Sequence, residues 1–186
     1  QMHPVAAHVD PIHLAFAEPL ACCLRGTDLA GDLTGAQVAI VGGGVMGQLT
    51  AQLARLDGAS SITMVTRQPE RRQLAVDLGA TSACAPEDAS LGAYDIVFEC
   101  AGAPGTLQAS IDLARTQGTV IVLGITPQDH THPINPYDLV AREIRIHGSF
   151  LNPGTQRRAA ELIAAGALSL DPLATRVVGL DQAIDG

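Results

Sequence analysis

The stretch Gln37–Gly47, QVAIVGGGVMG, constrains this chain more than any other. An apolar run, Val38 to Val41, ends in a glycine cluster and gives way to a segment of helical period carrying Val45, Leu49, Leu53 and Leu56. Gly42, Gly44 and Gly47 fit the spacing G-x-G-x-x-G. With 19 glycines in 186 residues the spacing alone says little; the strand-like run before it and the helical run after it supply the specificity. In that setting each glycine has a mechanical reason. The first permits the tight turn, the second lets the backbone approach a pyrophosphate, and the third lets helix and strand pack closely. The helix that follows aims its free N–H groups and the positive end of its dipole at the phosphates. A glycine-rich turn without a ligand is the competing reading.

The rest of the chain repeats the same alternation. Residues 1–11 read as loop or short strand, and Ile12–Leu29 as helix, with Pro19 at a kink or in the first turn of a second helix. Strands are expected at 36–41, 61–66, 81–85, 94–100, 118–123, 143–150 and 174–180. Helices are expected at 45–56, 69–78, 105–115, 136–142 and 156–165. Strands alternating with helices make βαβ units, and right-handed crossovers place helices on both faces of a parallel sheet. The fold class is therefore α/β: a doubly wound, six-stranded parallel sheet of order 3-2-1-4-5-6. In such a sheet ligands bind outside the carboxyl ends of the strands. Here those ends are Gly42–Gly47, Thr66–Arg67, Cys100–Gly102 and Gly124–Thr126.

Composition narrows the chemistry. Hydrophobic residues make up 47% of the chain but aromatics only 3%, so the core must be built from Ala, Val, Leu and Ile. The net charge is −8, and all 11 basic residues are Arg. An acidic balance without a basic run argues against nucleic acid as a partner. The lack of Lys removes Schiff-base and lysine catalysis. Cys22, Cys23, Cys84 and Cys100 form no C-x-x-C pair and read as reduced, mostly buried small hydrophobes. No apolar run reaches the roughly 18 residues of a membrane span. The first residues lack the basic and apolar regions of a secretion signal, so a cytoplasmic location is expected. Gln1 precedes Met2, which does not resemble a natural start.

The end of the second strand selects the cofactor. Readers of NAD place a carboxylate about 20 residues past the glycines, on the ribose hydroxyls. This chain has Thr66 followed by Arg67, with no Asp or Glu between Met64 and Pro69. A carboxylate would repel a 2′-phosphate, whereas a hydroxyl and a guanidinium would bind it. Arg71 and Arg72 extend the cluster. NADP(H) is accordingly expected over NAD(H); a solvated arginine face is the competing reading.

EPLACCLRG at 18–26, VAIVGGGVMG at 38–47, RRQLAVDLGAT at 71–81, DIVFECAG at 95–102 and GTVIVLGI at 118–125 occur together. In this order they resemble the coenzyme half of zinc-dependent medium-chain dehydrogenases, closest to the polyol and threonine dehydrogenase-like branch. The resemblance implies a Rossmann cofactor domain at 30–150. It also implies remnants of a GroES-like catalytic domain at both ends: its end and a junction helix at 1–29, and a returning helix and strand at 151–186. It implies cofactor contacts from Gly42, Gly44, Val45, Met46, Gly47, Thr66, Arg67, Arg71, Cys100, Ala101, Gly124, Ile125, Ser149 and Phe150. In the polyol branch the Glu of the EPL motif, here Glu18, lies at the zinc. One carboxylate cannot hold catalytic zinc, which takes about three protein ligands, and Glu18 equally suits the first turn of a helix. The family's other zinc ligands lie upstream of the cofactor domain, and nothing in this chain matches them.

The resemblance thus implies a fragment, inactive alone, of an enzyme moving hydride between NADP(H) and a secondary alcohol or polyol, with zinc in the full-length parent only. It also implies pairing of two copies through strand 6. The alternatives are a zinc-independent quinone- or enoyl-type reductase and a non-catalytic NADP(H)-binding module. The histidines add little: His3, His8 and His13 lie near the amino end, His130 and His132 are read as a solvated loop, and His147 as structural. Cys100 is better placed under a cofactor than as a nucleophile.

Overall fold

The strand Gln37–Val41 (β1) is buried on both faces, with Val38, Ala39 and Ile40 wholly inaccessible. A strand buried in this way needs paired neighbours on either side and a helical layer above and below. The computed structural model, which describes Val5, residues 9–179 and Gln182, supplies both. β1 pairs in parallel with Ser61–Val65 (β2) and Tyr94–Glu99 (β4). Ser82–Cys84 (β3) adds to β2, Ala114–Val122 (β5) to β4, and Arg145–Gly148 (β6) to β5. The sheet is all parallel and ordered 3-2-1-4-5-6, as the alternation of elements predicts.

Seven α-helices flank the sheet in one or two layers among the described residues: Pro11–Leu14 (α1), Ala17–Ala30 (α2), Val45–Leu56 (α3), Pro69–Asp77 (α4), Thr106–Leu113 (α5), Pro136–Arg142 (α6) and Gln156–Ala164 (α7). Alternate residues of β1 serve opposite layers. Val38 and Ile40 pack with Ala51, Ala54 and Ala75 of α3 and α4, whereas Ala39 and Val41 pack with Ile111 and Leu113 of α5. A third cluster holds the outer helices together: Leu20, Cys23 and Leu24 of α2 meet Leu49 and Leu53 of α3, and Ala159 and Ile163 of α7. Gln52 of α3 fastens the segment after α7, donating to Ser169 O at 3.1 Å and accepting from Ser169 N at 2.8 Å.

Several boundaries depart from the sequence pattern for identifiable reasons. Pro19 is the third residue of α2, where helical N–H groups lack partners anyway, so it starts a second helix instead of kinking one. In α3 only the middle of the expected apolar stripe is buried; Val45 and Leu56, at its two ends, are 40% and 50% exposed. α5 stops at Leu113 because the Arg142 guanidinium donates to the carbonyls of Ile111 and Ala114 and ends the helix there. β5 therefore starts at Ala114, and the extra length is taken up at Gln117, whose φ is 62°. β6 begins after Glu143, which caps α6 in the left-handed conformation. No strand forms at 174–179; Leu173, just before, is anchored among the outer helices, and the segment after it pairs with neither edge strand of the sheet. Leu180, the last residue of that expected strand, and His3 and His8 fall outside the described residues.

Two predictions follow from the packing. Leu20→Ala, at a fully buried position between α2, α3 and α7, should lower stability by about 2–5 kcal/mol in urea denaturation with the slope unchanged. The second concerns Asp95, which accepts from Gln37 N at 2.7 Å and from the Arg115 guanidinium. Burial works to raise its pKa, but those two donors outweigh it and hold the carboxyl below its ordinary 3.8. A lowered native pKa contributes stability that is present above the unfolded value and lost as pH falls through the native one. Asp95→Asn should therefore flatten the acid limb of the stability curve below about pH 4 and leave its slope near neutrality unchanged.

Candidate functional site

Because every strand runs the same way, the residues after β1, β2, β4, β5 and β6 emerge at one edge of the sheet. That edge collects Gly42–Gly47, Thr66–Arg67, Cys100–Ala101, Gly124–Ile125 and Ser149–Phe150. Arg71 joins them from the first turn of α4.

The glycine turn is shaped by contact. Gly42 has a φ of 107°, and a Cβ there would stand 2.9 Å from Ala101 N, so the turn presses against the segment leaving β4. A Cβ on Gly47 would overlap the carbonyl oxygen of Gly42, which is the close approach of helix to strand that the motif requires. Gly44 caps α3 in an extended conformation with no side chain over the helix end. The first N–H groups of α3 thus face outward, and Val45 stands exposed beside them. Such an end is suited to an anion. Met46, half-buried, packs beneath it, its carbonyl accepting from Thr50 Oγ1 at 2.8 Å.

The second strand ends in a cationic corner. Thr66 is buried and its N–H donates to Cys84 O, while Arg67 is exposed. Arg71 lies over the glycine turn: a Cβ on Gly43 would be 3.0 Å from Arg71 Cβ, and one on Gly44 would be 3.9 Å from Arg71 Nη1. Arg72 turns inward and donates from Nη1 to both Thr66 O and Arg67 O at 2.9 Å. Of the three arginines, Arg67 is exposed just after β2, Arg71 lies over the turn and Arg72 braces the backbone at 66–67.

Three participants escape a reading of the sequence. Arg72 is expected there only as part of a charge cluster. Glu99 is 2% exposed at the end of β4, and its Oε1 accepts from Ala101 N and Gly102 N at 2.9 Å, shaping the turn that meets Gly42. A carboxylate directly after the apolar run Ile96–Phe98, where a buried strand ends, is the signal that could have found it. Gln48 is 1% exposed and donates from Nε2 to Gly43 O at 3.3 Å and to Arg71 O at 3.0 Å. Cys100 lies beneath this edge, and burial pushes its thiol well above the ordinary value of 9.0, which disfavours the nucleophilic thiolate. Ile125 and Phe150 are 77% and 72% exposed, and Ser149 N donates to Val122 O at 2.9 Å.

A dinucleotide fits this edge: a helix end without a side chain over it, a cradle that a Cβ would fill, and guanidiniums beside it. Zinc does not. Among the described residues no three His, Cys, Asp or Glu side chains converge on a common point. Glu18 meets Cys22 Sγ at 3.3 Å and Asn152 Nδ2 at 3.1 Å. His130 and His132 are half-buried, not solvated as expected; their rings pack edge to face at 4.4 Å and their Nε2 atoms are buried without a hydrogen-bond partner among the described residues. His13 bonds Asp171 at 2.7 Å, and His147 is exposed on β6.

Glu99→Leu should strip an acceptor from two N–H groups and lower stability by about 1–3 kcal/mol, read in urea denaturation. Gly47→Ala should fold less stably and lose dinucleotide binding in titration calorimetry, because α3 must move off the turn.

The family model for zinc-binding dehydrogenases matches residues 45–165. Sorbitol dehydrogenase of Gallus gallus is 29% identical over 92% of this chain and 51% of its own length. L-idonate 5-dehydrogenase (NAD(P)(+)) of Escherichia coli strain K12 is 28% identical over 93% of this chain and 52% of its own. A crystal structure of a Sinorhizobium meliloti 1021 protein bound to NADP, assigned as a zinc-binding dehydrogenase, superposes with a TM-score of 0.96 at 45% identity. It covers all of this chain and 58% of its own. The chain thus spans about half the length of the curated relatives it matches. A family match over more than half of the residues, running from the start of α3 to the end of α7, establishes that the chain belongs to the zinc-binding dehydrogenase family.

Proposed function

We propose that this chain is the cofactor-binding part of an oxidoreductase that moves hydride between NADP(H) and a secondary alcohol or polyol and its ketone. The observation that carries the cofactor choice is the corner at the end of β2. Thr66, Arg67 and Arg71 stand beside the glycine turn, and no carboxylate occupies the position that would hold the ribose hydroxyls of NAD. The Sinorhizobium meliloti protein bound to NADP, similar along this whole chain, supports the same reading. The sorbitol and idonate dehydrogenases support the polyol class.

In this reading the nicotinamide cofactor supplies the hydride chemistry, and the chain's residues hold and orient it. Gly42, Gly44, Val45, Met46 and Gly47 carry the pyrophosphate on backbone N–H groups and the helix end. Thr66, Arg67 and Arg71 carry the 2′-phosphate. Cys100, Ala101, Gly124 and Ile125 line the ribose side, with Ser149 and Phe150 closing it. Residues 30–150 are assigned to the cofactor domain, 1–29 to the end of a catalytic domain and its junction helix, and 151–186 to the return toward that domain, with α2 and α7 packed on α3. Zinc is assigned to a longer parent, with Glu18 beside it by resemblance to the polyol branch, and the 186 residues alone are expected to show no turnover. β6 is assigned as the seam between two copies. A cytoplasmic location is part of this proposal. Among the described residues no helix is long and apolar enough to cross a membrane.

Titrating NADPH and NADH side by side tests the cofactor choice. NADPH should bind at least about tenfold more tightly, the worth of one charge-assisted contact. Arg67→Ala should weaken NADPH by roughly ten- to a hundredfold and leave NADH nearly unchanged. Equal affinities in the unmodified chain would remove the reading. Zinc-dependent turnover by the 186-residue chain would remove its assignment as a cofactor-binding part.

A further inference from the structure

Gln48 sits immediately after the last glycine of the turn, at a position where α3 is wholly buried and the next residue is Leu49. An amide there is costly to desolvate, and this one is only half satisfied. Its Nε2 donates twice, but its Oε1 is buried and has no hydrogen-bond partner among the described residues. An apolar side chain of the same size would avoid that deficit. What the amide accomplishes lies in its two acceptors. One is Gly43 O, inside the pyrophosphate turn; the other is Arg71 O, in the first turn of α4. It joins the segment assigned to the pyrophosphate to the segment assigned to the 2′-phosphate.

The neighbouring contacts give that link leverage. Gly43 is packed so tightly on this corner that a Cβ there would stand 2.9 Å from Thr66 Cγ2 and 3.0 Å from Arg71 Cβ. Arg72, on the far side, holds the carbonyls of Thr66 and Arg67. Backbone carbonyls at 43, 66, 67 and 71 are thus tied by two side chains, Gln48 and Arg72, neither of which belongs to the edge itself.

We infer that Gln48 is a positioning residue for cofactor specificity: through its bridge between Gly43 O and Arg71 O it holds the Arg71 guanidinium over the glycine turn, so that recognition of a 2′-phosphate and of the pyrophosphate are coupled. The inference rests on the NADP(H) reading above. It requires that removing the bridge affect the phosphorylated cofactor selectively, because the glycine turn keeps its own bonds. Gly42 N still donates to Val65 O, and Gln48 N to Gly44 O, whatever the side chain at 48.

The test is a double-mutant cycle on the 186-residue chain. Gln48→Met keeps length and volume and removes both donors. It should weaken NADPH about tenfold and NADH less than about twofold, and its effect on NADPH should vanish in an Arg71→Ala background. Equal losses for both cofactors, or losses that add independently of Arg71, would overturn the inference. Hydrogen exchange on the unmodified chain gives a second readout that needs no variant to fold. Adenosine 2′-monophosphate, which lacks a pyrophosphate, should slow exchange at residues 66–72 and also at 43–48. Protection confined to 66–72 refutes the coupling while leaving the NADP(H) reading in place. No protection at 66–72 refutes that reading, and the coupling with it.

Discussion

Helix α3 can begin where it does only because residue 47 has no side chain. Its Cα comes so close to the carbonyl of Gly42 that a single added carbon would overlap that oxygen. The approach folds the chain back within a few residues of leaving β1 and points the helix end along the carboxyl edge of the sheet. β1 is the centre of that sheet, paired on both sides and buried on both faces. The turn is therefore held from below by a strand enclosed on both faces and from the side by Ala101, where β4 ends. Everything else at the edge is arranged around it.

That edge is electrostatically unlike the molecule as a whole. The chain carries a net charge of −8, yet Arg71 lies over the glycine turn at the positive end of α3 and Arg67 stands exposed just after β2. Glu99 lies at the same edge, but its carboxylate is turned inward to Ala101 and Gly102, where it serves as a backbone cap. An acid that would otherwise repel phosphate instead shapes the turn against which Gly42 packs. Arg72 is likewise spent on backbone carbonyls. Residues of matching charge thus divide into those that face a ligand and those that brace the ones that do. Their order along the chain does not reveal the division.

Much of the site was legible before any coordinates. The glycine spacing, the hydroxyl–arginine pair at 66–67 and the apolar strands are local patterns, and parallel strands must gather their ends at one edge. What stayed hidden depends on distant partners. Gln48 reads as one more polar residue on a helix, since nothing nearby announces that Arg71 O is within reach. Arg142 and Ile111 are far apart in sequence, so the early stop of α5 could not be seen. The histidines at 130 and 132 read as solvated by composition, but packing half-buries them against each other. The expected strand at 174–179 has strand-forming residues, but packing leaves it away from both edges of the sheet's ladder.

By itself the sequence determined the class of fold, the strand order, the turn at Gly42–Gly47 and the cationic residues beside it. These follow from periodicity and from the stereochemistry of glycine, both properties of neighbouring residues. The tertiary structure alone decided which polar side chains face outward and which are consumed in holding the backbone: Glu99 on its own turn, Arg72 on β2, Gln48 between the two phosphate-facing segments. A buried donor or acceptor must be paired with whatever folding brings within about 3 Å, and that choice is made by packing across the chain, not along it.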